Sequence, residues 1–319
     1  MNKGFFDRSI RGRRPLILVI MCLLTGRACG ALVPIPTMIY RAWGIDGGDV
    51  LGVAQLIVVA VLSVAHVAPL GGAAHQILFQ TMGYGPEIGG VVYLAVCAGI
   101  LLSMMAYFAS DLWDMGVGVA RAAKGKRDPG ARLAAQIFAA SVPIAAAVFA
   151  LPYIDFTFPP YSPTAIGWSA VGGGVVMLVL DRMSMTIKRL EHASFVDMIV
   201  VALSQLVAFL VPGVSRAGIT MTFARALGYE RVDAARFSSL LGIPAMAGWC
   251  LLQALALAKA GSLVWQPWLI GVGAASFFAG LIMLAIMMAW LKRHSFAPFA
   301  IYRILLGGAV LAIVWRASP

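Results

Sequence analysis

The sequence predicts an all-α polytopic membrane protein, with about six transmembrane helices plus two re-entrant helical hairpins in an inverted repeat. Three observations carry that prediction. Of the 319 residues, 61% are hydrophobic and 12% are charged, about half the charged share of an ordinary soluble domain. One soluble core of this size cannot hide so much apolar surface. Apolar runs of about 18 residues or more recur, long enough to cross roughly 30 Å of hydrocarbon. They lack the period-2 alternation of barrel strands, so the spans are helical. The basic residues gather in short connections between those runs, which is a topology signal.

The elements follow in chain order. Lys3, Arg8, Arg11, Arg13 and Arg14 precede an apolar run from Leu16 to Leu24, and Arg27, Pro34 and Pro36 interrupt its continuation. A basic end before a short apolar run suits a signal peptide; it also suits an extra span with its basic end inside. The span is preferred, because it leaves residue 40 on the side where the next segment enters. Residues 1–48 are therefore read as a basic N-terminal extension with an extra helix, and residues 49–319 as the main membrane domain.

Six apolar runs follow near 88–110, 133–151, 165–181, 235–258, 267–291 and 298–315. The stretch 121–132 carries Arg121, Lys124, Lys126, Arg127 and Arg132, the stretch 182–192 carries Arg182, Lys188 and Arg189, and Lys292 and Arg293 follow position 291. The stretches 83–87 and 152–164 hold no Lys or Arg, and 259–267 holds only Lys259. The positive-inside rule makes the first set cytoplasmic and the second external.

Two apolar segments do not fit simple crossings. One, near 50–69, breaks at Pro69-Leu70-Gly71-Gly72; the other, near 195–211, breaks at Pro212-Gly213. Given the orientation, the first enters and returns on the external side and the second on the cytoplasmic side. Broken backbone reaches membrane depth only where protein or a watery cavity covers it. VAPLGGAAHQILFQTMGY (67–84) and LVPGVSRAGITMTFARALGY (210–229) share a Pro-Gly-type break, a short apolar run and a closing Gly-Tyr. Three crossings separate them, so the repeat is inverted, and such paired interrupted segments point to a midplane site.

The formal net charge is +11, from 24 Lys+Arg against 13 Asp+Glu. In a soluble domain that would suggest nucleic acid; here it belongs to membrane topology, and no nucleic-acid partner is expected. Cys22, Cys29, Cys97 and Cys250 lie in or beside apolar segments without CxxC spacing, so they read as small hydrophobes.

Polar residues inside apolar segments are costly and therefore informative. They are His66, His75, Gln205, Ser215, Arg216 and Thr220, with Arg303 near the start of the last span. Arg216 follows a glycine-containing turn whose free backbone N–H groups make an anion cradle together with its guanidinium. Snorkelling to the cytoplasmic interface is the bland alternative. His66 and His75 flank the other break, where a neutral imidazole can act as acid, base, nucleophile or ligand. No Asp or Glu falls between Asp49 and Glu87, or between Asp197 and Glu230. A hard divalent cation wants carboxylates, so no metal ligand is assigned.

The segment SQLVAFLVPGVSRAGITMTFARALGYERVDAARFSSLLGIPAMAGW (204–249) resembles the second motif region of the undecaprenyl pyrophosphate phosphatases, PGxSRSGxT after an upstream Gln. HSFAPFAIYRILLG (294–307) is similar to that family's last loop and span. The resemblance implies a bacterial inner-membrane protein, with inverted repeats and re-entrant helices around a periplasm-facing site, that removes the terminal phosphate of a polyprenyl pyrophosphate. It implies catalytic roles for His75, His66 and Ser215, phosphate binding by Arg216, Gly213, Thr220 and Gln205, and a divalent cation (Mg or Ca). Self-association as a homodimer stays open.

The sequence departs from the family's first motif, which has two glutamates four apart, then Pro, two serines and a histidine. Aligned on Pro69, those positions are Leu62, His66, Gly71, Gly72 and His75, and Ala217 replaces the serine after the arginine of the second motif. Metal binding is thereby in question. The leading expectation is hydrolysis of undecaprenyl pyrophosphate, which recycles the lipid carrier of cell-wall synthesis. A non-hydrolytic polyprenyl-phosphate carrier or flippase, or a lapsed paralogue, is the alternative.

Overall fold

A computed structural model describes residues 53–81, 90–150, 162–186, 188–190, 193–263 and 266–317. The N-terminal extension, with its choice between signal peptide and span, lies outside the described residues. So do Tyr84, the 83–87 connection and most of 152–164.

The described residues fold into eleven helices with no strand: α1 (Val53–Val67), α2 (Gly72–Thr81), α3 (Val91–Tyr107), α4 (Ala109–Ala122), α5 (Pro129–Ala150), α6 (Pro163–Met183), α7 (Phe195–Leu210), α8 (Arg216–Ala226), α9 (Arg231–Lys259), α10 (Trp268–Leu291) and α11 (Ala297–Ala317). Helix starts follow local chemistry. Ser162 caps α6 by accepting from the Ala165 amide, with Pro163 at the first helical position, and Ser194 caps α7 by accepting from Asp197 N.

By length and composition α6, α9, α10 and α11 can each cross a membrane, and α3 with α4 qualifies as a bent pair. The sixth expected span is α5, whose 22 residues reach about 33 Å at 1.5 Å per residue, with Arg132 and Gln136 in its first turns. The expected span at 88–110 is corrected in one respect. The chain turns by 72° after Tyr107 and continues as a separate helix, α4. Ser110, Asp111 and Asp114 make that stretch too polar to register as an apolar run, yet one face packs on α5 and Asp111 pairs with Arg236 of α9.

Packing reproduces the inverted repeat. Helix α10 packs on α3 and α1, and α5 packs on α9 and α7, so each broken hairpin and the helix after it share one partner from the opposite half. The tightest helix pairs are made by glycines. A Cβ on Gly99 of α3 would meet Ser276 of α10 at 2.7 Å, and one on Gly307 of α11 would meet the Gly167 carbonyl of α6 at 2.6 Å. Without a hydrophobic drive between helices in lipid, such close approach is what holds a pair together. Outward-facing apolar side chains such as Trp315 (83% exposed) and Phe138 (75%) form the lipid-facing skin.

The basic connections assemble on one end of the bundle. Buried Asp181 at the end of α6 accepts from Arg225 and Arg231 and from the Phe296 amide, tying α6, α8, α9 and the start of α11 together. Arg132 and Gln136 of α5 both donate to Ala193 O, and Lys188 is bridged through its backbone to Gly228 and Glu230. Gly90, before α3, lies against Leu257 near the far end of α9, at the opposite end.

Candidate functional site

Each hairpin is interrupted by a glycine that only a residue without Cβ adopts easily: Gly71 has φ +90° and Gly213 has φ +87°. Gly213 also needs its small size, because a Cβ would lie 2.8 Å from Ile166 Cα of α6. The Ser169 hydroxyl sits 2.6 Å from the Pro212 carbonyl and pins this break to α6.

Helix α8 begins directly after the second break. Ser215 is its N-cap, with Oγ accepting from the Gly218 amide at 3.2 Å. Arg216, the first helical residue, crosses to α9, where Nη1 donates to Ser238 O at 3.2 Å. Its guanidinium lies over Gly242, where a Cβ would stand 2.6 Å from Nη2. Thr220 Oγ1 donates to Arg216 O at 2.9 Å and lies 2.5 Å from Ser238 Oγ.

The first hairpin brings both of its histidines to this place. His66 Nδ1 is 2.8 Å from Leu62 O, and His75 Nδ1 is 3.0 Å from Gly71 O. A carbonyl only accepts, so in each neutral ring Nδ1 carries the proton and Nε2 the lone pair. Nε2 of His75 accepts from the Tyr302 hydroxyl at 2.7 Å, and the two rings stack at 5.6 Å. Nε2 of His66 faces the Tyr93 hydroxyl at 3.4 Å. The His66 ring lies over Gly72, where a Cβ would come within 2.8 Å of Cε1. His66 is close enough to Arg216 and to His75 for their charges to interact.

The structure thus brings His66, His75 and Arg216 together from both hairpins, as the repeat argument anticipates. Gly213, Ser215 and Thr220 surround the start of α8, but both hydroxyls are engaged in local bonds. Gln205 is buried in α7 (3% exposed) with neither amide atom bonded, and no bond joins it to the others. The donors at the two hairpins are imidazoles, hydroxyls, a guanidinium and backbone groups. Among the described residues no three of His, Cys, Asp and Glu converge, and this donor set does not fit a hard Mg²⁺ or Ca²⁺ ion.

A family model described as bacitracin resistance protein BacA matches residues 55–309, a stretch that encloses both hairpin breaks. The chain belongs to the BacA family. Undecaprenyl-diphosphatase 1 of Rhodospirillum rubrum is 42% identical over 270 residues, covering 82% of this chain and 95% of that protein. Undecaprenyl-diphosphatase 1 of Paramagnetospirillum magneticum is 38% identical over 260 residues (82% and 96%). The undecaprenyl-diphosphatase of Ruegeria pomeroyi is 35% identical over 264 residues (82% and 98%). Within this BacA-family site, sequence reasoning missed Tyr302, Tyr93, Ser238 and Gly242. Tyr302, Ser238 and Gly242 stood inside the two quoted stretches and Tyr93 outside them, but none carries a signal of its own, because tyrosine, serine and glycine are ordinary in membrane helices.

Proposed function

We propose that this protein hydrolyses undecaprenyl pyrophosphate to undecaprenyl phosphate and inorganic phosphate in the bacterial inner membrane, returning the lipid carrier to cell-wall synthesis. The observation that carries this reading is the meeting of Arg216, at a helix N-terminus, with His66 and His75 from the oppositely inserted hairpin. The names of its BacA-family relatives support the same reading. Arg216 and the backbone from Gly213 onward hold the pyrophosphate as charge develops on the leaving oxygen. Gln205, with unspent amide atoms, and Thr220 complete the phosphate contacts. Thr220 first gives up a local bond.

Hydrolysis joins a water oxygen to the terminal phosphorus, breaks the phosphoanhydride P–O bond and releases lipid phosphate. Through the Nε2 lone pair that Tyr302 covers at rest, His75 takes the proton of the attacking water, or itself displaces the lipid phosphate to form a phosphohistidine whose N–P bond water then breaks to release inorganic phosphate. His66 stands where a glutamate usually sits and orients the headgroup beside Arg216, with Ser215 capping the helix that carries it. No step is routed through a metal ion. The test is release of inorganic phosphate from undecaprenyl pyrophosphate by the pure protein, with EDTA or with Mg²⁺. Turnover supports hydrolysis. Lipid binding without phosphate release supports the second reading, a polyprenyl-phosphate carrier, which the absence of any carboxylate beside either hairpin break favours.

A further inference from the structure

Two arginines are fully buried among the described residues, and the fold treats them oppositely. Arg225 (3% exposed) is saturated: it donates to Asp181, to Tyr229 O and to Ser184 O. Arg303 of α11 (1% exposed) forms no ion pair among the described residues, where its Nε and Nη2 also have no hydrogen-bond partner. A guanidinium in a membrane bundle without counter-charge is expensive, so its persistence calls for a partner that arrives from outside the chain.

The slot around Arg303 is made by missing side chains. A Cβ on Gly173 would lie 3.0 Å from its Cζ, one on Gly174 3.3 Å from its Cβ, and one on Gly218 3.5 Å from its Cζ. Gly173 and Gly174 sit at the middle of α6, and Gly218 is the third residue of α8. Arg303 therefore reaches the first turn of α8 from the α6–α11 side, while Arg216 leaves that turn toward Ser238 on α9. At this turn the Arg216 and Ala217 amides have, by position, no acceptor within the helix. The preceding residue, Tyr302, bonds His75, so α11 links both hairpins.

We propose that Arg303 is a second anion-binding arginine of this site, kept uncommitted so that it pairs with a phosphate group of the substrate. This deepens the hydrolase reading and rests on it for the phosphate-bearing substrate. A pyrophosphate carries several negative charges, and neither hairpin break offers carboxylates for a divalent cation. Two guanidinium forks on either side of a helix N-terminus supply positive charge and directed donors in its place.

The experiment uses the full chain in detergent with EDTA, following thermal unfolding by tryptophan fluorescence with and without inorganic pyrophosphate, and with sulfate at equal ionic strength. In the unmodified protein pyrophosphate raises Tm, because a ligand bound only to the folded state stabilises it; sulfate raises it much less. Arg303→Met keeps or raises the basal Tm, since an unpaired buried charge is removed, and loses the pyrophosphate response. Arg303→Lys keeps the charge without the fork, and its apparent pyrophosphate affinity falls at least tenfold; it serves as the test if the Met variant does not fold. The proposal is overturned by an unmodified protein that ignores pyrophosphate or responds equally to sulfate, or by a variant with the full response. A lower basal Tm with the response intact marks Arg303 as structural and overturns it too. An Arg303-dependent response in a protein that releases no phosphate from the lipid sinks the hydrolase reading and leaves this site standing.

Discussion

At the residue scale, Arg216 gives the sharpest test of the site, because it starts α8 and its fork donates to Ser238 O within charge-interaction range of His66. Lysine keeps its charge but loses the planar bidentate donors. Arg216→Lys should therefore weaken phosphate binding nearly as much as Arg216→Ala, by about tenfold or more, which is ~1.4 kcal/mol or above. Steady-state kinetics on the lipid substrate checks this, and a fully active lysine variant would favour snorkelling. Because the hairpin donors do not suit Mg²⁺ or Ca²⁺, phosphate release should largely survive EDTA and fall on His75→Ala. Activity abolished by EDTA and restored by Mg²⁺ would place a carboxylate at the site. His66 and Gly72 form one steric unit, since the imidazole fills the space a side chain at 72 would take. Gly72→Ser alone should push His66 off its Leu62 bond and lower activity, whereas Gly72→Ser with His66→Glu should recover part of the loss. The costly residues were legible in the sequence because hydrocarbon makes every polar group conspicuous. Which hydroxyls are free was not: Ser215 caps α8 and Thr220 bonds its own helix, outcomes set by backbone geometry that spacing does not reveal.

At the element scale, apolar runs and positive loops were sufficient to locate α3, α5, α6, α9, α10 and α11, and the Pro-Gly breaks located the ends of α1 and α7. The hydrocarbon thickness makes span length a physical requirement, so these elements announce themselves. Helix α4 did not, because it is short and amphipathic and its place depends on a tertiary pair, Asp111 with Arg236, that lies far apart in sequence. Helix pairing was also hidden, since which glycines face a neighbour is decided by rotation about each axis. Gly99 packs on the α10 backbone at Gly273, and backbone cannot swing aside, whereas a Cβ at Gly308 would meet nothing within 4 Å. Gly99→Val should thus wedge α3 from α10 and destabilise the protein by about 1–3 kcal/mol. Gly308→Ala should leave it unchanged or slightly more stable, since Ala is the better helix former by about 1 kcal/mol. Thermal unfolding of both variants in the same detergent decides this, and equal Tm values would refute the glycine-seam account.

At the scale of the whole molecule, the proposed function depends on two hairpins that open at opposite ends of the bundle, and charge placement carries that claim. The end of the bundle where Asp181 gathers Arg225 and Arg231 also holds the basic 121–132 and 182–192 connections, and the second hairpin opens there, through the start of α7 and the end of α8. The first hairpin leads through α2 toward the start of α3, where Gly90 lies against Leu257 at the other end. With the basic end cytoplasmic, the breaks approach one another from opposite sides. His66 of one then comes within charge-interaction range of Arg216 of the other. A parallel arrangement would instead put both openings on one face. Single cysteines placed in a background lacking Cys22, Cys29, Cys97 and Cys250 test this directly with a membrane-impermeant thiol reagent. Lys124→Cys and Ala226→Cys should react only after the cytoplasmic face is opened. Gly85→Cys and Ser262→Cys should react in intact cells from which the outer barrier has been stripped. If Ala226→Cys and Gly85→Cys label from the same side, the hairpins are not inverted, and the meeting of His66 and Arg216 loses its structural basis.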